Sequence, residues 1–291
     1  MIPHLALSVG MILLAAAPGA GDAGAAGDPR EKLSTDSLLI LLGDQPRSPG
    51  LRDLAQRDPR RSAREAAAGH EAIRIGEKLT FSVRYGMIRA GEATMEVADT
   101  TSAFGHPCYH VVSRARSNSV FDTIYKVRDV VETWMDRERL FSRRFRKSLR
   151  EGSYRATQDV EMDQENGFAR YQDGRVFELV RGAHDVLSGF YYVRTLDLEV
   201  GQEIWLESHA DRKNYPLKVL VMGRERIDSP VGEFDCLKLE PMLRTPGLFK
   251  HEGKLTIWLT DDERKMPILM KSKVPVVGSI SVVLTSYERP R

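Results

Sequence analysis

The chain has 291 residues, 42% of them hydrophobic, with 43 Lys plus Arg against 41 Asp plus Glu for a formal charge of +2. So even a balance carries no electrostatic footprint for nucleic acid, and the length suits one large domain or two small ones. There is no Gly-x-Ser-x-Gly elbow, Walker loop, Gly-x-Gly-x-x-Gly turn or His-Glu-x-x-His helix, so those reaction classes have no support.

Leu5 to Ala17 is an apolar run of thirteen residues, ended by Pro18 and followed by the small-residue stretch Gly19 to Gly27. A bilayer span takes roughly 20 residues; the run has the form of a secretory leader, with Ala23-Gly24-Ala25 as its cleavage site. Residues 1–25 are therefore expected to be a signal peptide, although only the α-amino group and His4 stand in for the usual basic front end. A short buried N-terminal helix is the alternative. Cleavage after Ala25 removes Asp22 alone among the charged residues, leaving 43 cations against 40 anions. No Cys follows the run to carry a lipid, and no later stretch is expected to be a transmembrane segment, so the expected location is the periplasm.

Residues 26–71 have another character. Eight basic and seven acidic residues from Asp28 to Glu65 surround one apolar island, Leu38 to Leu42. Charge-rich chain with few apolar groups packs poorly, so this segment reads as a largely disordered arm, with a short helix capped by Ser34 or Asp36 as one local option and partner binding as another.

From residue 72 to 291 the pattern is that of a single antiparallel β domain. Leu79, Phe81, Val83 and Tyr85 alternate with Thr80, Ser82 and Arg84, the period of two that puts apolar side chains on one face of a strand. Asn166-Gly167 separates strands Tyr154 to Asp163 and Phe168 to Gln172, and Asp173-Gly174 separates the latter from Arg175 to Val180; both dipeptides supply the positive φ of hairpin turns. Pro230-Val231-Gly232 joins Leu217 to Arg226 with Glu233 to Glu240, and Asp261 to Arg264 joins Leu255 to Thr260 with Pro267 to Lys273. The last strand runs from Ile280 to Glu288. About a dozen strands without alternating long helices exclude a parallel α/β sheet. Val186, Phe190 and Val193 fall at helical spacing behind Asp185, predicting one short helix, and Val120 to Val127 is a weaker candidate. The expected fold is all-β (minor α): a strongly curved antiparallel sheet forming a spiral or half-open barrel around one short helix.

Four segments in order carry a resemblance: Phe81-Ser82-Val83-Arg84-Tyr85-Gly86 with Ala90-Gly91-Glu92-Ala93; Asp185 to Arg194; Ser229-Pro230-Val231-Gly232-Glu233-Phe234; and Trp258 to Pro267. Over roughly residues 72 to 289 the chain resembles the exported bacterial family called domain of unknown function 3108. The resemblance implies a curved sheet wrapped about a helix, distantly like periplasmic lipoprotein carriers, and transfers no catalytic residues.

His106, Cys108 and His110 would share one side of a strand, a spacing that suits zinc or copper, but no fourth ligand is evident and a core or disulfide role for Cys108 competes with it. No metal and no cofactor are expected. In an exported chain Cys108 and Cys236 are free to pair. Asp261-Asp262 and the Asp159, Glu161, Asp163 series read as solvated charges rather than opposed catalytic carboxyls. Arg143, Arg144, Arg146, Lys147, Arg150 and Arg155 crowd into thirteen residues with Glu151 as their one acid. Arg144, Arg146 and Arg150 share a strand side and either pair with the Asp159 to Asp163 strand or present a positive stripe to lipid phosphates or an acidic envelope polymer.

The leading functional expectation is a non-catalytic periplasmic envelope protein that binds an acyl chain or lipoprotein segment in its curved sheet. Phe190 and Tyr191 then face the interior, Arg194 sits near the rim, the helix acts as a movable cover, and Arg144 and Arg146 stand by for the headgroup. A protein–protein interaction module of the envelope is the alternative, and an envelope hydrolase the third reading.

Overall fold

The computed structural model describes residues 72–243, 254–274 and 278–288. The expected signal peptide and charged arm lie outside the described residues. Fourteen strands form one antiparallel sheet: β1 (Lys78–Tyr85), β2 (Ile88–Ala103), β3 (His106–Ser117), β4 (Arg128–Asp136), β5 (Ser142–Glu151), β6 (Tyr154–Asp163), β7 (Phe168–Tyr171), β8 (Val176–Glu178), β9 (Glu203–Ala210), β10 (Lys213–Ser229), β11 (Gly232–Leu243), β12 (Lys254–Thr260), β13 (Pro267–Val274) and β14 (Gly278–Glu288). Among the described residues two helices accompany them, α1 (Ser119–Asp122) and α2 (Val186–Arg194).

The strand order β8-β7-β6-β5-β4-β3-β2-β1-β14-β13-β12-β11-β10-β9 describes two meanders joined where β1 pairs β14. The chain leaves one edge at β8, passes through α2 and enters the other edge at β9. Twist accumulated over this many strands curls the sheet until its edges approach. They meet at residues rather than along a ladder: His184 bridges Ser208, and its N–H donates to the Glu207 carbonyl at 2.8 Å. The result is the expected half-open barrel around a helix.

The alternation read from the sequence places Leu79, Phe81 and Val83 of β1 and Ile280, Val282 and Leu284 of β14 in one buried core. Gly167 and Gly174 adopt φ of 74° and 80° between β6, β7 and β8, as the hairpin dipeptides require. The Pro230-Val231 turn and the turn through Asp261 to Arg264 also stand where expected, the latter with Asp262 accepting the Arg264 and Lys265 N–H groups. The weaker helix candidate shortens to α1, because Asn118 caps it through Phe121 N–H and Tyr125 already packs as coil against the core.

Helix α2 fills the concave side. Asp185 accepts the N–H groups of Leu187 and Ser188 at 2.7 and 3.0 Å, Ser188 Oγ accepts the Asp185 N–H, and Thr133 on β4 donates to the same carboxylate. At the other end Arg194 corrects the expectation of a rim position: it is buried, with Nη1 and Nη2 at 2.9 and 3.1 Å from the two oxygens of buried Glu77. Its Nε donates to the Lys265 carbonyl, and its guanidinium lies 4.8 Å from the Tyr191 ring centroid. Burial alone would lower the Arg194 pKa; the Glu77 charge and Tyr191 outweigh it, and the net shift is upward. A helix tied at both ends in this way is a fixed plug rather than a movable cover.

Cys108 on β3 and Cys236 on β11 are free thiols, separated in the sheet by β2, β1, β14, β13 and β12. Each is buried and directs its S–H to a carbonyl two residues earlier, and burial pushes the two thiols up to about 11 and about 12. Another buried acid lies at the end of β5: Glu151 meets Asp129, and burial, the Asp129 charge and the hydrogen bond to it together push Glu151 up to about 9, against a smaller opposing hydrogen bond from Tyr125.

Removing one partner of a buried ion pair leaves the other uncompensated, which costs about 3–5 kcal/mol. Arg194→Met is expected to show that loss in urea unfolding, and Glu77→Leu/Arg194→Met to recover most of it; a double variant no better than the single would show that the pair does not carry the helix end. For Glu151, the unfolded carboxyl releases its proton near 4.5 while the folded one keeps it to about 9. Stability contributed by the protonated group is therefore complete below 4.5 and declines as pH rises toward 9. Glu151→Gln should flatten that decline in urea midpoints measured across the range, and an unchanged slope would assign it elsewhere. Alkylation of the denatured protein without reductant should add two groups per chain, and a mass showing none would mean the thiols are bridged.

Candidate functional site

An apolar cavity lies where the two ends of the sheet face each other across α2. Phe145, Val160, Met162 and Tyr171 line it from β5 to β7, Val186, Phe190 and Val193 from the helix, and Leu206, Leu217, Val219, Leu239 and Ile257 from β9 to β12. Its volume is ≈ 100 Å³. At roughly 10–15 Å³ for each water position, that is room for about seven to ten waters, or one slim apolar group.

The polar border is assembled where the sheet edges meet. Lys147 points inward from β5 between Phe145 and Leu149 and reaches Asp211 Oδ1 at 3.3 Å. Asp211 and Arg212 form the β9–β10 turn with φ of 45° and 70°, left-handed values that suit a hairpin's twist but strain an arginine. That turn is bolted to the opposite edge. The Arg212 N–H donates to Tyr171 OH at 2.6 Å and its guanidinium to Asp173 at 2.8 Å. Tyr171 OH in turn donates to His209 Nε2 at 2.9 Å, His209 Nδ1 donates to Asn214 Oδ1 at 2.8 Å, and Asn214 Nδ2 donates to the Glu178 carbonyl. Burial holds His209 below the usual imidazole range despite the opposing Asn214 bond, which fits a neutral ring with one donor and one acceptor nitrogen. Burial also pushes the Tyr171 phenol up to about 12. Every polar group in this chain of bonds thus serves to hold the two edges together.

The residues singled out from the sequence do not gather in one place. Phe190 lines the cavity. Tyr191 is fully buried on another side of α2, against Arg194, and Arg194 belongs to the Glu77 pair. Arg144 and Arg146 lie on the outer face, both held by Asp159 at 2.7–3.0 Å and both over the Trp134 ring at 5.2 and 5.5 Å. Cross-strand pairing, the register setting Arg146 opposite Asp159, therefore prevails over a free positive stripe at these two positions. Asp159 is held below the usual carboxylate range, its burial being outweighed by those two arginines. His110 reaches Glu132 at 3.1 Å and stacks on Trp134, while His106 lies 3.8 Å from Glu165, so each has a carboxylate neighbour of its own. Among the described residues no group of three His, Cys, Asp or Glu is placed to hold a metal ion.

Tyr171, His209 and Asp211 were not singled out from the sequence, and Lys147 was read only as one cation of the basic run. One signal was present: Lys147 shares the parity of Phe145 and Leu149, a cation on the apolar side of its strand. The others depend on β7 and β9 meeting, which no local pattern announces.

In structural comparison the chain is similar to a β-barrel-like protein of domain of unknown function DUF1849 from Brucella abortus, with a TM-score of 0.49 and 10% identity over 74% of this chain and 98% of that one. It is also similar to a DUF1089 family protein from Pseudomonas aeruginosa (TM-score 0.38, 10% identity, 65% and 91% covered) and to a protein with a YmcC-like fold from Bacteroides fragilis (0.33, 10%, 74% and 97%). No curated protein matches the sequence. Residues 80–285, which take in the helix and all but the outermost ends of β1 and β14, match the family described as protein of unknown function DUF3108, and the chain belongs to that family.

Proposed function

We propose that the protein is a periplasmic envelope protein that binds, without catalysis, one acyl chain or a comparably slim apolar segment of a lipoprotein in the cavity beside α2. The observation that carries this reading is the apolar lining drawn from three separate parts of the fold, Phe190 and Val193 of the helix among it, around ≈ 100 Å³ of unfilled space. A dry apolar cavity gains free energy when an apolar guest replaces its missing contacts. The volume favours a single chain over a whole two-chain lipid. Lys147 and Asp211 at the border supply opposite charges within 3.3 Å of each other, so an acyl carboxylate entering there would compete with Asp211 for Lys147. Binding rather than catalysis is favoured because both nitrogens of His209 and the hydroxyl of Tyr171 are engaged in holding the edges together. The leader-like start of the chain supports the location.

Titration with a fluorescent fatty acid tests the reading. The wild-type protein should take up the probe, Phe190→Asp should weaken uptake by roughly a hundredfold by placing a carboxylate among apolar walls, and Arg144→Ala should leave it unchanged at moderate salt. A thermal melt of each variant checks that it is folded. Absence of probe binding by the folded wild type, together with no lipid in a solvent extract of the purified protein, would overturn the proposal.

A further inference from the structure

One end of the barrel combines two features that the cavity does not use. The β1–β2 turn and the segment around α1 lie together there: Asn118 N–H donates to the Ala90 carbonyl at 2.9 Å, and Asn118 Nδ2 donates to the Arg89 carbonyl at 2.7 Å. These two neighbours expose Met87 at 93% and Ile124 at 73% of their full surface, with Ile88 and Val120 also exposed, and α1 buries none of its residues. Four large apolar side chains at one tip are an unusual outlay for a surface in water.

Behind this tip runs a row of cations. Arg116 stands directly opposite Arg128 between β3 and β4, and Arg150 directly opposite Arg155 between β5 and β6. Like charges in facing positions destabilise a sheet. The arrangement contrasts with the same strands farther along, where Asp159 neutralises Arg144 and Arg146. Lys126, Arg128, Arg150 and Arg155 surround an outward recess. Arg128 pairs with Asp122 and Arg116 with Glu92, whereas among the described residues the side chains of Lys126 and Arg150 form no salt bridge, Arg150 meeting Asp129 through its backbone N–H alone. Arg155 is held in place by the carbonyls of Gly152 and Tyr154, so it is positioned without being neutralised.

We infer that this end docks on an anionic phospholipid bilayer, with Met87, Ile88, Val120 and Ile124 entering the headgroup boundary and the arginine row meeting lipid phosphates. An apolar tip collared by cations matches the layering of such a surface, where acyl chains lie beneath a sheet of negative charge. A soluble anion would satisfy the recess but would leave the tip unexplained. A protein partner with an acidic, apolar face is the competing occupant, and the bilayer accounts for both features through one chemistry.

Vesicle flotation tests this directly. The protein should float with vesicles containing phosphatidylglycerol, stay behind with vesicles of phosphatidylcholine alone, and be released by salt. Arg150→Gln/Arg155→Gln should weaken binding about 30-fold, the effect expected of two surface cations at an anionic membrane. Met87→Ser/Ile124→Ser should also weaken it, without shifting the thermal melt because both side chains are exposed. Indole fluorescence of Met87→Trp should move to the blue on anionic vesicles. Equal binding to neutral vesicles, no flotation with either kind, or protection by inorganic pyrophosphate without flotation would overturn the inference, as would self-association abolished by Met87→Ser/Ile124→Ser. Phe190→Asp should float like the wild type, so failure of the cavity reading and failure of this one are separable.

Discussion

A buried ion pair between Arg194 and Glu77 joins the end of α2 to the approach of β1, and the organisation of the interior follows from it. The pair spans 117 positions of sequence and is closed by carbonyls of the turn between β12 and β13. A guanidinium in this environment has no alternative partner in solvent, so the helix end is held where those three segments converge. With Asp185 fixing the opposite end through β4, the helix lies across the concave sheet in one position. The specificity of these contacts matters more than their net energy, since charges taken out of water gain little over a well-packed apolar contact.

The fixed helix explains both the order of the fold and the space left within it. A sheet of fourteen strands curls far enough for its edges to meet, but a nine-residue helix is short for the apolar surface it must cover. Its Leu187 and Tyr191 side is filled, and its Phe190 and Val193 side faces the cavity. Closing the remaining gap by full strand pairing would require β8 and β9 to run beside each other in register. They are joined instead by Tyr171, His209, Asn214 and the strained Asp211-Arg212 turn, which leaves a border where polar and apolar groups adjoin.

Charge is sorted along the outer face by register. Arg144 and Arg146 meet Asp159, while a few residues farther along the same two strands Arg150 meets Arg155. A step of four residues along each strand thus separates a neutralised surface from a positive one. The positive end coincides with the exposed apolar tip.

The alternation of apolar side chains, the turn dipeptides and the Asp185 cap are local properties, and they determined the strand series, the hairpins around Gly167 and Gly174, the position of α2 and the all-β class. Local patterns also carried the family resemblance. Which residues meet across the barrel was decided only by the tertiary structure, because the Arg194–Glu77 contact, the junction of β7 with β9 and the separation of Cys108 from Cys236 depend on how far the sheet curls. Arg194 reads in sequence as a helix-end cation suited to a rim, and only the turn packed over it makes it a core residue. Phe190 was legible because helical spacing fixes its side of α2; Lys147 and Asp211 were not joined until the edges came together. Twist sums over all fourteen strands, so no single segment encodes the meeting of the two ends.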